Sequence, residues 1–209
     1  MRINYKVIIV AIFGIFLTGI GVAFNNCAGL GNDPVGIVYD GIRTAAKLNR
    51  EQLGTASNVV NIILIILLVF IGRRYVHVGT LLSVITYGFF VNIGTQLYNY
   101  INIADTFINN CITSVIGCTL LYIGVSIFIT MDIGVDAFTG IVLVISNKTG
   151  WNFKRTKIVF DFCMIVIGTV LGGKLGAITF ITALTAGPTI QFFSNKFKKQ
   201  LSKRRDTLV

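Results

Sequence analysis

Gly29-Leu30-Gly31-Asn32-Asp33-Pro34-Val35 sets a carboxylate, two glycines and a proline directly after a long apolar run. The same plan returns 103 positions later as Asp132-Ile133-Gly134-Val135-Asp136-Ala137-Phe138, where Gly134 answers Gly31 and Asp136 answers Asp33. The correspondence extends upstream, with Ile20-Gly21-Val22 matched by Ile123-Gly124-Val125. Glycine loosens a helix and proline opens one, so the duplicated stretch reads as a break between a long helix and a short one. Its aspartate stands where a helix cap stands.

The background is apolar. Of 209 residues, 54% are hydrophobic and 12% are charged, with a mean hydropathy of +0.80. A soluble domain carries about a quarter charged residues. This chain cannot cover a surface in water, whereas lipid is matched by an apolar one. It is read as one integral membrane domain.

Working outward, Val7 to Phe24 is a charge-free run of eighteen residues, enough to cross a bilayer core of about 30 Å at about 1.5 Å per residue. A signal peptide begins in the same way, but Gly19 and Gly21 interrupt the run and its partner lies deep in the chain, so it is taken as a span. Val35 to Ala46 is too short to cross upright and reads as a half-helix or a tilted span. Asn58 to Gly72 and His77 to Ile93 are further spans. The second half repeats the order: Phe107 to Thr130 long, Gly134 to Ser146 short, then Ile158 to Gly172 and Leu175 to Phe193. There the register shifts to 99, with Thr80 answering Thr179 and Gly88 answering Gly187. The expected fold is an all-α, polytopic transmembrane helical bundle of two homologous halves. Repeat one covers about 7–98, repeat two about 107–193, and a basic tail 194–209.

Lys196, Lys198, Lys199, Lys203, Arg204 and Arg205 crowd that tail and supply much of the net charge of +10. After an apolar span, such a run marks the cytoplasmic side and meets anionic lipid head groups rather than nucleic acid. If the short segments re-enter, there are six spans in inverted repeats; if they cross, there are eight in parallel repeats. The positive-inside tally does not separate the two, and both put both termini in the cytoplasm.

In order along the chain stand a Gly-Leu-Gly-x-x-Pro turn (Gly29 to Pro34), Gly79-Thr80-Leu81, Thr149-Gly150-Trp151 followed by Lys154 and Arg155, Leu171-Gly172-Gly173, and Gly187-Pro188. This series resembles the YczE/YyaS/YitT family of bacterial integral membrane proteins over nearly the whole chain. Val135-Asp136-Ala137 and Ala177-Ile178-Thr179 depart from the family pattern. The resemblance implies a bacterial inner-membrane location and supplies no catalytic residues.

A carboxylate inside a membrane costs a few kcal/mol and is retained where it meets a cavity, a partner or water. Asp33, Asp40, Asp132, Asp136 and Asp161 all lie in or beside apolar segments. Asp33 and Asp136, with Gly29, Gly31 and Gly134, are the candidate solute or proton site, and Asp40 and Asp132 are its outer members. The competing reading makes Asp33 and Asp136 helix caps near the interface. Asp161 is expected to pair with Lys157 or Arg155, and His77 to meet head groups. Cys27, Cys111, Cys118 and Cys163 are scattered and form neither a metal pattern nor a disulfide framework. No phosphate loop, metal-ligand cluster or nucleophile–base set is present, so neither an enzyme nor a cofactor is expected. The resulting expectation is a permease for a small polar solute, with the site where the two broken elements meet. The rival is a non-transporting scaffold acting through its tail; deleting 196–209 would cost a scaffold its partner and leave a permease its flux. Oligomeric state and substrate stay open.

Overall fold

Apolar residues in lipid satisfy their backbone only as helix, and every segment read above is helical. The structure, a computed structural model, describes residues 5–206, without the side chains of 153, 154 and 202–206. Arg2, and the side chains of Lys154, Lys203, Arg204 and Arg205, therefore lie outside the described residues. The helices are α1 (Tyr5–Ala28), α2 (Gly36–Ala45), α3 (Leu53–Gly72), α4 (Val78–Ile101), α5 (Phe107–Thr130), α6 (Ala137–Thr149), α7 (Phe153–Val170) and α8 (Ala177–Asp206). Among the described residues there is no strand. Five helical stretches are long and apolar enough to cross a membrane: α1, α4, α5, the residues 50–75 built around α3, and α8 as far as Leu201. The last helix runs past the expected end of its span because lysine-rich sequence continues a helix well; polarity changes there and the backbone does not.

Close approaches fix the directions. Gly14 lies against Gly124 and Gly21 against Gly117, so α1 and α5 are antiparallel and touch backbone to backbone. Adding 103 to Gly14 and Gly21 gives Gly117 and Gly124, so the two approaches are related by the 103-residue offset read in the sequence. Gly19 meets Phe90 and Val91 while Gly94 meets Ile20 and Ala23, which makes α1 and α4 parallel. Tyr122 with Thr185, Ser126 with Ile190 and Thr130 with Ser194 make α5 and α8 parallel. Between α3 and α4, Asn92 accepts from the Gly54 N–H at 2.9 Å and Asn58 from the Gly88 N–H at 3.0 Å, an antiparallel clamp across two glycines.

Parity then settles the short helices. Because α3 runs opposite to α4, and α4 runs with α1, the chain between α1 and α3 starts and finishes at the same end of the bundle. α2 is re-entrant. In the second half α7 ends beside Gly41 and α8 begins beside Leu30, so α7 opposes α8 and α5, and α6 is re-entrant from the other end. On these directions α2 and α6 each return to the end they entered from, and α1, α3, α4, α5, α7 and α8 run from one end of the bundle to the other.

Each short helix packs on a long helix of the opposite half. Gly168 of α7 lies against Ile37 and Val38, and Gly41 against Gly168 and Leu171; Gly140 of α6 lies on Leu68 of α3, and Gly72 on Val144. Interhelical contact of this kind needs small residues, and the glycines supply it.

Candidate functional site

The duplicated turns are seams between halves. The Leu30 carbonyl oxygen accepts from the Ile178 N–H in the first turn of α8 at 3.1 Å, and that of Ile133 accepts from the Gly79 N–H at the start of α4 at 2.9 Å. Those pairs differ by 103 and 99 positions, the two registers of the sequence. Beside each sits a fully buried threonine: Thr80 Oγ1 accepts from the His77 N–H at 3.4 Å, and Thr179 Oγ1 from the Gly176 N–H at 3.3 Å. Thr80 also donates to the Val135 carbonyl at 2.7 Å. Gly31 and Gly134 have φ of 110° and 142°, where a side chain is strained, and Thr179 and Thr80 press against them. Thr80→Val is expected to lower stability by about 1 kcal/mol, since it removes the hydroxyl that the partly buried Val135 carbonyl accepts from, read as a fall in melting temperature in detergent. An unchanged melting temperature would mean that the seam does not hold the halves.

From the seams the chain turns inward. Leu30 and Asp40 both bind the start of the α7–α8 corner, at one end of the bundle, and α2 runs outward toward Arg43. Its N-terminus is therefore the inner end, with Ile37 against Gly168 of α7 and Thr44 against Gly172 beyond the end of that helix. Asp33 Oδ2 accepts from the Val35 and Gly36 N–H groups at 3.3 and 3.2 Å. Asp136 caps α6 in the same way, Oδ1 accepting from the Thr139 N–H at 3.0 Å and Oδ2 from the Thr139 hydroxyl at 2.5 Å. Both aspartates are caps, as one reading of the sequence had it, but they cap helices whose starts lie inside the bundle.

Between the two caps lies an aromatic layer. The Tyr39 ring is 5.7 Å from those of Tyr87 and Phe138, and Phe138 is 6.1 Å from Phe160, so rings from α2, α4, α6 and α7 meet. The Tyr39 hydroxyl donates to Asn61 Oδ1 at 3.2 Å. Both Tyr39 and Tyr87 lie within electrostatic reach of Asp33 and of Asp136. Lys157 and Asp161, joined as an ion pair one helical turn apart on α7 as the sequence anticipates, act on Asp33 as well.

The other candidate residues separate from this centre. Asp40 is buried and structural, holding Arg43 at 2.9 Å and the Lys174 N–H at 2.8 Å. Asp132 is exposed with φ of 51°, and Gly29 is exposed with φ of 71°, both in the loops that lead to the seams. Tyr39, Tyr87, Asn61 and Asn32 are the central residues that the sequence reading passed over. Tyr39 adjoins Asp40 and Asn32 lies inside the opening stretch, but nothing local says that they face the second half of the chain. Among the described residues no group of three or more His, Cys, Asp or Glu could hold a metal ion, and the four cysteines are free.

Long apolar helices around two re-entrant half-helices define a multi-pass, all-α integral membrane protein. The chain belongs to the family of unknown function DUF6198, which matches residues 5–195. It is 24% identical over 192 residues to an uncharacterized protein of Haemophilus influenzae, covering 92% of this chain and 85% of that one. It is also 25% identical over 121 residues to the uncharacterized membrane protein YczE of Bacillus subtilis, covering 57% of this chain and 54% of YczE. This chain thus spans about half the length of YczE. No solved structure matches.

Proposed function

We propose that the protein is a bacterial inner-membrane permease for a small polar solute, built from two homologous inverted halves. The observation that carries the reading is the convergence of two re-entrant half-helices, one from each half, with Asp33 and Asp136 at their inner ends. Broken helices meeting at the midplane between inverted repeats are the plan of secondary transporters. Asp33, Asp136 and the Asn61-bonded Tyr39 are the polar groups offered to the solute, and the ring layer of Tyr39, Tyr87, Phe138 and Phe160 closes the path in this conformation. Gly29, Gly31 and Gly134 give the turns their shape rather than free backbone groups, since the carbonyls of Leu30, Ile133 and Val135 already accept hydrogen bonds. Rocking one half against the other about the α1–α5 crossing would open the centre to alternate sides.

Arg73, Arg74, Lys148, Arg155 and the basic tail share one end of the bundle, while Arg43, Lys47, Arg50 and Lys174 mark the other. The richer end is assigned to the cytoplasm, with both termini there.

The test is a thermal-stability screen of purified protein against polar metabolites, wild type beside Asp33→Asn and Asp136→Asn. A ligand that raises the melting temperature of wild type by several degrees, and of neither variant, is the expected result. No stabilisation by any solute, with both variants merely less stable, would return the aspartates to capping alone and favour the scaffold.

A further inference from the structure

The two inner caps are built alike but finished differently. Position 139, which closes the Asp136 cap with a threonine hydroxyl, corresponds at an offset of 103 to Gly36. Gly36 has no hydroxyl to give, so Asp33 Oδ1 is sealed from solvent with no hydrogen-bond partner among the described residues. It lies against the open side of Gly36, 2.5 Å from where a Cβ would stand. A second difference falls beside it. Val135 of the other turn corresponds to Asn32, which is 1% exposed, and Asn32 Oδ1 is the other buried acceptor in this turn without a partner. The Asn32 Cβ is 3.3 Å from the same point above Gly36.

A buried oxygen left without a donor costs about 1–3 kcal/mol, more when charged. Two within two residues, at positions where the other half carries a valine and a closing threonine, require a shared explanation. We propose that Asn32, Asp33 and Gly36 form a binding site for a monovalent cation of sodium's size, present in the first turn and replaced in the second by Thr139.

The ligand chemistry selects the ion. Carboxylate and amide oxygens are hard ligands that exclude soft transition metals. Calcium and magnesium gather several acidic ligands, and among the described residues Asp33 belongs to no group of three or more His, Cys, Asp or Glu that could hold a metal ion. Lys157 is the cation nearest in effect to Asp33, but its ammonium is engaged by Asp161. Asp136, whose two oxygens are both bonded, is the remaining carboxylate facing the layer. As a coupling ion, the cation rests on the permease reading above; as a bound ion, it is measured with no solute present, so either can fail alone.

The experiment is the melting temperature of the full chain in detergent, with sodium chloride exchanged for choline chloride at constant ionic strength and pH and no solute added. Wild type is expected to gain about 2–4 °C once sodium exceeds its dissociation constant some fivefold. Potassium should give less. Asp33→Asn and Asn32→Val should lose the response. Gly36→Thr, which copies the closed turn, should lose it, because its Cβ would displace Oδ1 from its present place and its hydroxyl would bond the shifted carboxylate as Thr139 bonds Asp136. Asp136→Asn should keep it. No sodium-specific gain in wild type, or a gain that survives in Gly36→Thr and Asp33→Asn, overturns the assignment.

Discussion

A Gly21→Leu protein is expected to yield no monodisperse folded species, whereas Gly187→Leu should purify and melt like wild type. A Cβ on Gly21 would stand 2.5 Å from the Gly117 carbonyl oxygen and 2.6 Å from the Leu121 nitrogen. Both are backbone atoms of α5 and cannot rotate aside, so the helices must part. Inserting even single methylenes into a packed core costs about 1–3 kcal/mol, against a whole stability of about 5–15 kcal/mol. A leucine here would also unmake the neighbouring approach of Gly14 to Gly124. Gly187, by contrast, has nothing within 4 Å, and a substitution there should shift stability by no more than about 0.5 kcal/mol. Size-exclusion chromatography and thermal melting of the two proteins side by side give the answer. Equal behaviour would mean that α1 and α5 do not cross where the glycines place them.

Asp40→Ala is the second large effect, and it should exceed that of Asp33→Ala. Asp40 is 1% exposed and its Arg43 partner 17%. Removing the carboxylate strands a partly buried guanidinium and the Lys174 N–H together. Breaking a buried pair in this way costs about 3–5 kcal/mol. Asp33→Ala removes a cap, at about 1 kcal/mol, and relieves an unpaired oxygen as it does so. Thermal denaturation should therefore rank Asp40→Ala well below Asp33→Ala, and the reverse order would contradict the assignment of Asp40 as the structural acid of this segment. Arg43→Ala should share part of the Asp40 deficit, since it leaves the buried carboxylate without its ion-pair partner while the Lys174 N–H bond to Asp40 remains.

The difference between Asp40 and Asp33 marks how far the residues speak for themselves. The spans could be read because apolar runs in lipid have one solution, and the turns because glycine, aspartate and proline punctuate a helix. The offsets of 103 and 99 relate Gly31 to Gly134, both at positive φ, and Thr80 to Thr179, each of which accepts from the N–H three residues before it. α6 starts three residues later than the sequence placed it because Asp136 is the cap and Gly134 lies in the loop before it. α4 runs on to Ile101, past the Ile93 end expected of its span, and Tyr98 packs its ring 5.9 Å from Phe24 toward the end of α1. What could not be read is which acid faces which half. Asp33 and Asp40 stand in the same short segment, and only the arrival of α7 and α8 from the second half sends one to an ion pair and leaves the other with an unpaired oxygen. The contrast of Thr139 with Gly36 was legible at an offset of 103, but it carries meaning only once both caps are known to point inward.

The exchange of short helices between halves also imposes an order in time. α6 emerges from the ribosome when its bed on α3 has already been made. α2 emerges first and must wait for α7, whose last residue comes about 125 residues later, an interval of about 6–25 s at about 5–20 residues per second. Through that interval Asp33 and Asp40 belong to a segment too short to cross and without its supporting surface. The nascent first half is therefore the vulnerable stage of biogenesis, the point at which a membrane-inserting chaperone would be needed and a membrane protease would find its substrate.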